Sequence, residues 1–151
     1  GFMISVVRDP LSWFASAKKH AHSQRDMRDK SLDNLMHFWK DSTTAIIQNQ
    51  ERFSDRYIVL LFSDLVSKTE SVMRTLCERF EIPFEETLLR PTFNGIDVGS
   101  NTSHETLKGH GGVLASTLDV FKEILDTYEI DRIRTDFEPS YDLAVRLACV
   151  R

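Results

Sequence analysis

The feature that most limits how this chain can fold is the junction near its start, where an apolar run passes directly into a helix-starting pair. Residues 2–7 are nearly all apolar and include branched side chains, a pattern typical of a strand buried on both faces of a parallel sheet. Asp9 follows as a candidate N-cap, and Pro10 suits the first helical position, where its missing N–H costs nothing. We therefore predict a strand followed at once by a helix.

The residues at this junction have the chemistry of an anion site. Arg8 stands at the carboxyl end of the predicted strand, the end at which parallel sheets bind ligands. The exposed N–H groups and the dipole of a helix start also attract anions. Ser16 lies about 9 Å along the helix axis from Pro10, at ~1.5 Å per residue. We therefore expect Arg8 and Ser16 to hold one phosphate between them.

Later segments continue the alternation of strand and helix. Residues 31–53 carry apolar side chains at helical spacing, which predicts a long amphipathic helix with Trp39 in the core. Residues 57–62 form a second apolar strand, and residues 67–70 (Ser-Lys-Thr-Glu) are a capping-box start for a helix through Phe80. Strands joined by helical crossovers predict a parallel, right-handed βαβ unit.

The last third of the chain begins with a change of composition. Residues 91–112 contain five of the chain's six glycines together with Asn, Ser, Thr and His, which predicts a long loop of the kind that often carries function. Beyond it, the spacing of apolar residues predicts three helices. They cover residues 114–125, 130–137 and 141–148.

Composition narrows the class of protein. With 151 residues, 41% hydrophobic and 28% charged, the chain suits a single domain over residues 1–151. A net charge of −4 argues against nucleic acid or an anionic membrane as a general partner. We expect no metal site, because neither the five histidines nor the two cysteines have ligand spacing. Cys77 and Cys149 are expected in the core, and a cytoplasmic location without a membrane span is expected.

The motif Arg8-Asp9-Pro10 with Ser16 resembles a known family. It is similar to the 3′-phosphate-binding motif of sulfotransferases that use 3′-phosphoadenosine 5′-phosphosulfate (PAPS). Many members of that family share further segments in the same order along the chain: Phe62-Ser63-Asp64-Leu65, Phe80-Glu81-Ile82-Pro83-Phe84, Asn94-Gly95 and Asn101-Thr102-Ser103. The resemblance implies a P-loop nucleotide-transferase-like α/β fold, a parallel sheet flanked by helices.

The resemblance also implies roles for particular residues. It assigns Arg8 and Ser16 to the 3′-phosphate of PAPS or of its product PAP. Phe62 stands where many members have a tyrosine that touches the adenine, so it can contact a ring but offers no hydroxyl.

Further candidates lie in the glycine-rich segment. Thr102 and His104 match a family segment that contributes a threonine and an aromatic residue near the adenine. Lys108 and Gly109 resemble the Lys-Gly loop that closes over the 3′-phosphate, although they follow Ser103 sooner than in cytosolic members.

The family's other cofactor loop, which binds the 5′-phosphosulfate, has no counterpart in the sequence. The resemblance therefore implies the C-terminal part of a sulfotransferase domain, incomplete on its N-terminal side, with the catalytic base expected upstream. The reaction implied is sulfuryl transfer from PAPS to a hydroxyl or amine of a small-molecule or carbohydrate acceptor. We expect the chain alone to be inactive.

Two other interpretations remain open from the residues. A nucleotide kinase-like piece that binds ATP would share the fold. A non-catalytic interaction module would use Arg8 only to pair with Asp9 or another carboxylate.

Overall fold

A computed structural model describes residues 1–21, 31–90, 92–94, 96–97 and 121–149. The chain divides into two compact units. The first comprises residues 1–63, 116–149 and 151, and the second comprises residues 64–115 and 150.

The first unit contains the parallel strands that the sequence predicts. Strand β1 (Met3–Val7) lies beside β2 (Tyr57–Leu61) in parallel register. Helices α1 (Pro10–Ala21) and α2 (Leu32–Phe53) lie between them in the chain, as the βαβ prediction requires. On the other side of β2, Ala148 forms an isolated parallel bridge with Val59.

The prediction that β1 is buried on both faces is wrong. Ile4 and Val6 are 46% and 47% exposed, whereas their neighbours Ile58 and Leu60 on β2 are 1% and 4% exposed. Among the described residues β1 pairs only with β2, so it is an edge strand there. The apolar composition of a segment indicates that it forms a strand, whereas the burial of that strand depends on which other elements pack against it.

The core of the first unit lies between α1, α2 and α6 (Thr127–Leu147). Three rings from these helices meet in it. The ring of Phe137 lies 5.5 Å from that of Phe14 and 4.8 Å from that of Trp39, measured between centroids. Both Trp39 and Phe14 are buried, at 4% and 1% exposure, which confirms the predicted core position of Trp39.

Helix α6 corrects the prediction of two separate helices over residues 130–148. It runs unbroken through Pro139, although a proline removes the N–H that would bond the carbonyl four residues earlier. Ile133, Phe137 and Ala144 are buried on both sides of the proline, and this packing keeps one helix. Of the helix predicted over residues 114–125, the described part is α5 (Phe121–Ile124).

Helix α3 (Phe62–Ser67) follows β2 directly, and α4 (Thr69–Phe80) follows it. The predicted capping box is wrong, because Ser67 belongs to α3 and Lys68 is the N-cap residue of α4 without a side-chain capping bond. Instead, the Thr69 hydroxyl donates to the Leu65 carbonyl at 2.8 Å. Cys77 of α4 is buried, as predicted, and Cys149 is only partly buried.

Residues 91–112 are not all irregular, which corrects the loop prediction in part. Strands β3 (Thr92–Phe93) and β4 (Ile96–Asp97) pair antiparallel, and Asn94 between them has a left-handed φ of 51°. Asn-Gly between apolar residues is the sequence of a two-residue hairpin turn. The rest of this segment lies outside the described residues.

Candidate functional site

Two of the predicted site residues come together at one edge of the sheet. Arg8 follows the last residue of β1, and Phe62 follows the last residue of β2. Because the strands are parallel and in register, with Val7 opposite Leu61, both residues lie at the carboxyl ends. The guanidinium carbon of Arg8 stands 4.8 Å from the centroid of the Phe62 ring, within the range of a cation–π contact.

The sequence predicts each of these two residues separately as a ligand contact and does not predict the contact between them. The signal was present, since each residue directly follows a strand of the same predicted βαβ unit. Parallel neighbouring strands bring such residues to one edge.

Asp9 starts α1 as the sequence predicts. One carboxylate oxygen of Asp9 accepts a hydrogen bond from the Ser12 backbone N–H at 3.0 Å, and the Asp9 carbonyl accepts from Trp13 N–H at 3.0 Å. Pro10 is the first helical residue. The positive end of the α1 dipole therefore lies immediately after Arg8 in the chain, and the two together favour an anion at this edge.

The guanidinium of Arg8 is partly withdrawn from solvent. Burial lowers the pKa of Arg8 from its ordinary value, while the charge of neighbouring Asp9 acts in the opposite direction. The group stays protonated at neutral pH, because a guanidinium keeps its charge in proteins. A cation with reduced hydration attracts a phosphate more strongly than a fully solvated one does.

Ser16 lies in the second turn of α1 and is partly buried. Its helix is tied to α6 by the Lys18 ammonium, which lies 2.7 and 2.6 Å from the two carboxylate oxygens of Glu129. Glu129 is itself fixed by a capping box with Asp126 at the start of α6. This ion pair holds the helix that carries Ser16.

The other predicted site residues cannot be placed. Thr102, His104, Lys108 and Gly109 lie outside the described residues. Their assignment therefore remains a prediction.

A cleft of about 530 Å³ lies elsewhere, between α2 and α6. Small side chains such as Thr43, Thr44 and Ser140 flank it, while Met36 and Phe137 supply apolar walls. It is lined by none of the predicted site residues, so we give it no part in the site at the strand ends.

Over the described residues, no group of three or more His, Cys, Asp or Glu side chains is arranged to hold a metal ion. Within the same part of the chain, every helix is too short or too polar to cross a membrane.

The fold is α/β, and Arg8 and the start of α1 lie at the carboxyl edge of its parallel strands. A model of the sulfotransferase family matches residues 3–86, which is more than half of the chain, and the chain therefore belongs to the sulfotransferase family. The matched segment contains Arg8, Ser16 and Phe62. No curated protein matches the sequence.

Two solved structures show the same fold. The sulfotransferase domain from the curacin biosynthetic pathway has a TM-score of 0.61 and 22% identity, over 91% of this chain and 53% of that one. The sulfotransferase domain of the Synechococcus PCC 7002 olefin synthase has a TM-score of 0.66 and 18% identity, over 91% and 49%. The chain thus spans about half the length of these domains.

Proposed function

We propose that this chain supplies the 3′-phosphate and adenine side of the PAPS site in a sulfotransferase domain. The observation that carries the proposal is the partly buried Arg8 at the carboxyl end of β1, directly before the start of α1. A 3′-phosphate carries up to two negative charges, and an arginine can bind two of its oxygens at once.

In this proposal Arg8 and Ser16 bind the cofactor and do not react. Arg8 neutralises the 3′-phosphate, and the Ser16 hydroxyl donates a hydrogen bond to it. Thr102 and His104 would flank the adenine, while Lys108 and Gly109 would cover the 3′-phosphate. Phosphate recognition of this kind sets the position of the cofactor and hence the direction of its sulfate.

The reaction itself needs groups from the other half of the domain. A base deprotonates the acceptor hydroxyl or amine, the acceptor oxygen or nitrogen bonds to sulfur, and the bond from sulfur to the bridging oxygen breaks. Positive groups stabilise the charge that develops on the departing oxygen. The acceptor is a small molecule or a carbohydrate, and the chain alone is expected to lack activity.

The test is nucleotide binding by the 151-residue chain. Titration calorimetry should show tighter binding of PAP than of AMP or ATP. Replacing Arg8 by alanine should weaken PAP binding by about 10- to 100-fold, the loss expected for charge-assisted hydrogen bonds, and should remove the preference.

Arg52→Ala is the matched control. Arg52 also stands over a ring, 5.1 Å from the centroid of Phe53, but it lies at the end of α2. This variant should bind PAP as the unchanged chain does. Equal affinity for the three nucleotides would contradict the proposal, a preference for ATP would favour the kinase-like interpretation, and no binding would favour a non-catalytic module.

A further inference from the structure

The aromatic ring of Phe62 makes a cation–π contact with Arg8 at the strand ends. The guanidinium carbon lies 4.8 Å from the ring centroid, and both residues are partly buried. Cation–π contacts strengthen when the pair is withdrawn from water. Partial burial of both residues therefore strengthens the preference of the arginine for an orientation over the ring.

The two residues differ in how firmly their backbones hold them. Phe62 follows β2, in which residues Tyr57 to Leu60 are at most 4% exposed. Arg8 follows the edge strand β1, and its long side chain has many rotamers to lose when it is held in one place. A rigid ring beside a flexible cation reduces the entropy that the cation loses when it binds a ligand.

Asp9 is a competing partner for Arg8. Its charge acts on Arg8, but its carboxylate also accepts the Ser12 N–H at 3.0 Å. The cap fixes this carboxylate at the start of α1, whereas a guanidinium over a ring still donates N–H bonds in its own plane. The ring thus contacts the cation without using its N–H groups.

We propose that Phe62 is a positioning residue, whose ring holds the Arg8 guanidinium in the orientation that binds the 3′-phosphate. The inference rests on the proposed function of Arg8. It replaces the expectation that Phe62 acts through the adenine. The ring then sets the preference for nucleotides with a 3′-phosphate, although it does not touch that phosphate.

The first measurement needs no nucleotide. In proton–nitrogen NMR spectra, the Nε–H signal of Arg8, assigned by its loss in Arg8→Lys, should carry a ring-current shift. Phe62→Leu should move the signal to the position of a solvated arginine, and Phe62→Tyr should preserve the shift. Phe53→Leu, which removes the ring beneath Arg52, should leave the Arg8 signal unchanged.

The second measurement separates positioning from adenine contact. Phe62→Leu should weaken PAP binding about three- to tenfold, the effect of losing one cation–π contact, with AMP binding unchanged. In an Arg8→Ala background, the same substitution should have no further effect. Phe62→Tyr keeps a ring and should bind PAP as the unchanged chain does.

Several outcomes would overturn the inference. If Phe62→Leu does not move the Arg8 signal, the ring does not contact Arg8 in solution. If Phe62→Leu weakens PAP and AMP binding equally, the ring contacts the adenine instead. If Phe62→Leu moves the signal but leaves the ratio of PAP to AMP affinity unchanged, Phe62 contacts Arg8 without positioning it for the 3′-phosphate. If the unchanged chain shows no preference for PAP over AMP, the proposed function fails, while the NMR signal still shows whether the ring holds Arg8.

Discussion

Strands β1 and β2 are equal in length, parallel and in register, yet they lie in different surroundings. At matched positions on one face, Ile4 is 46% exposed and Ile58 is 1% exposed. Both strands are apolar in sequence, so the difference comes from what packs against each strand. An apolar run therefore predicts a strand reliably and its burial poorly.

The residues that follow the two strands differ in the same way as the strands themselves. The edge strand β1 leads to Arg8, which is a partly buried cation, and to Asp9, which caps the start of α1. The buried strand β2 leads to Phe62, an aromatic ring on a well-packed support. The more exposed strand therefore leads to the charged residue of the site, Arg8, and the buried strand leads to the ring that contacts it, Phe62.

The largest expected effect tests the burial difference directly. Ile58→Ala should lower the free energy of unfolding by about 2–5 kcal/mol, because it leaves a cavity in a packed interior. Ile4→Ala, at the paired position on the same face, should cost less than about 1 kcal/mol, since much of that side chain already contacts water. Urea unfolding of both variants measures the two losses of unfolding free energy. Equal losses would mean that β1 is covered as β2 is.

The next effect compares the helix starts that follow the two strands. Asp9→Ala removes the carboxylate that accepts the Ser12 N–H and should cost about 1 kcal/mol of unfolding free energy. Asp9→Asn retains an acceptor and should recover most of it.

The matched variant after β2 is Asp64→Ala. It removes an ion pair to Lys68 at 3.0 Å, a helical pair worth about 0.3–0.5 kcal/mol. Thermal unfolding of the three variants should rank Asp9→Ala as the least stable. An Asp64→Ala variant as unstable as Asp9→Ala would contradict the ranking.

An effect comparable to that of Asp9→Ala tests the hydrogen bond between the strands. The hydroxyls of Ser5 on β1 and Tyr57 on β2 are hydrogen-bonded at 2.5 Å. Tyr57→Phe should cost about 0.5–1.5 kcal/mol, the net value of one such bond, in chemical unfolding. Tyr128→Phe is the control: its hydroxyl interacts with Arg132, but Tyr128 is 67% exposed, so water replaces that bond and the loss should be smaller than for Tyr57→Phe. No loss in Tyr57→Phe would show that water replaces the bond.

The parts of the fold that sequence predicted are those with strong local signals. The start of α1 follows from Asp9 and Pro10, and α2 follows from helical spacing after Ser31, whose hydroxyl accepts the Asn34 N–H at 3.4 Å. Both β1 and β2 follow from short apolar runs. In each case the information lies within a few residues of the element.

The predictions that failed depended on distant packing. Pro139 divides the helical pattern locally, but the buried faces on both sides keep α6 whole. Ser67 has the sequence of a cap, yet it is the last residue of α3. In the site, the chain positions of Arg8 and Phe62 were enough to place both at one edge. Their contact depends on side-chain orientation, which no local pattern encodes.

Val59 of β2 lies opposite Ser5 on one side and is bridged to Ala148 on the other, where its carbonyl accepts the Cys149 N–H at 3.1 Å. During synthesis the partner on the first side is available as soon as β2 emerges. The partner on the second side follows only after roughly 5 to 20 s, at about 5–20 residues per second. Until then the Val59 carbonyl lacks its bond from Cys149. The support of the Phe62 ring is therefore completed only after α6 has been synthesised.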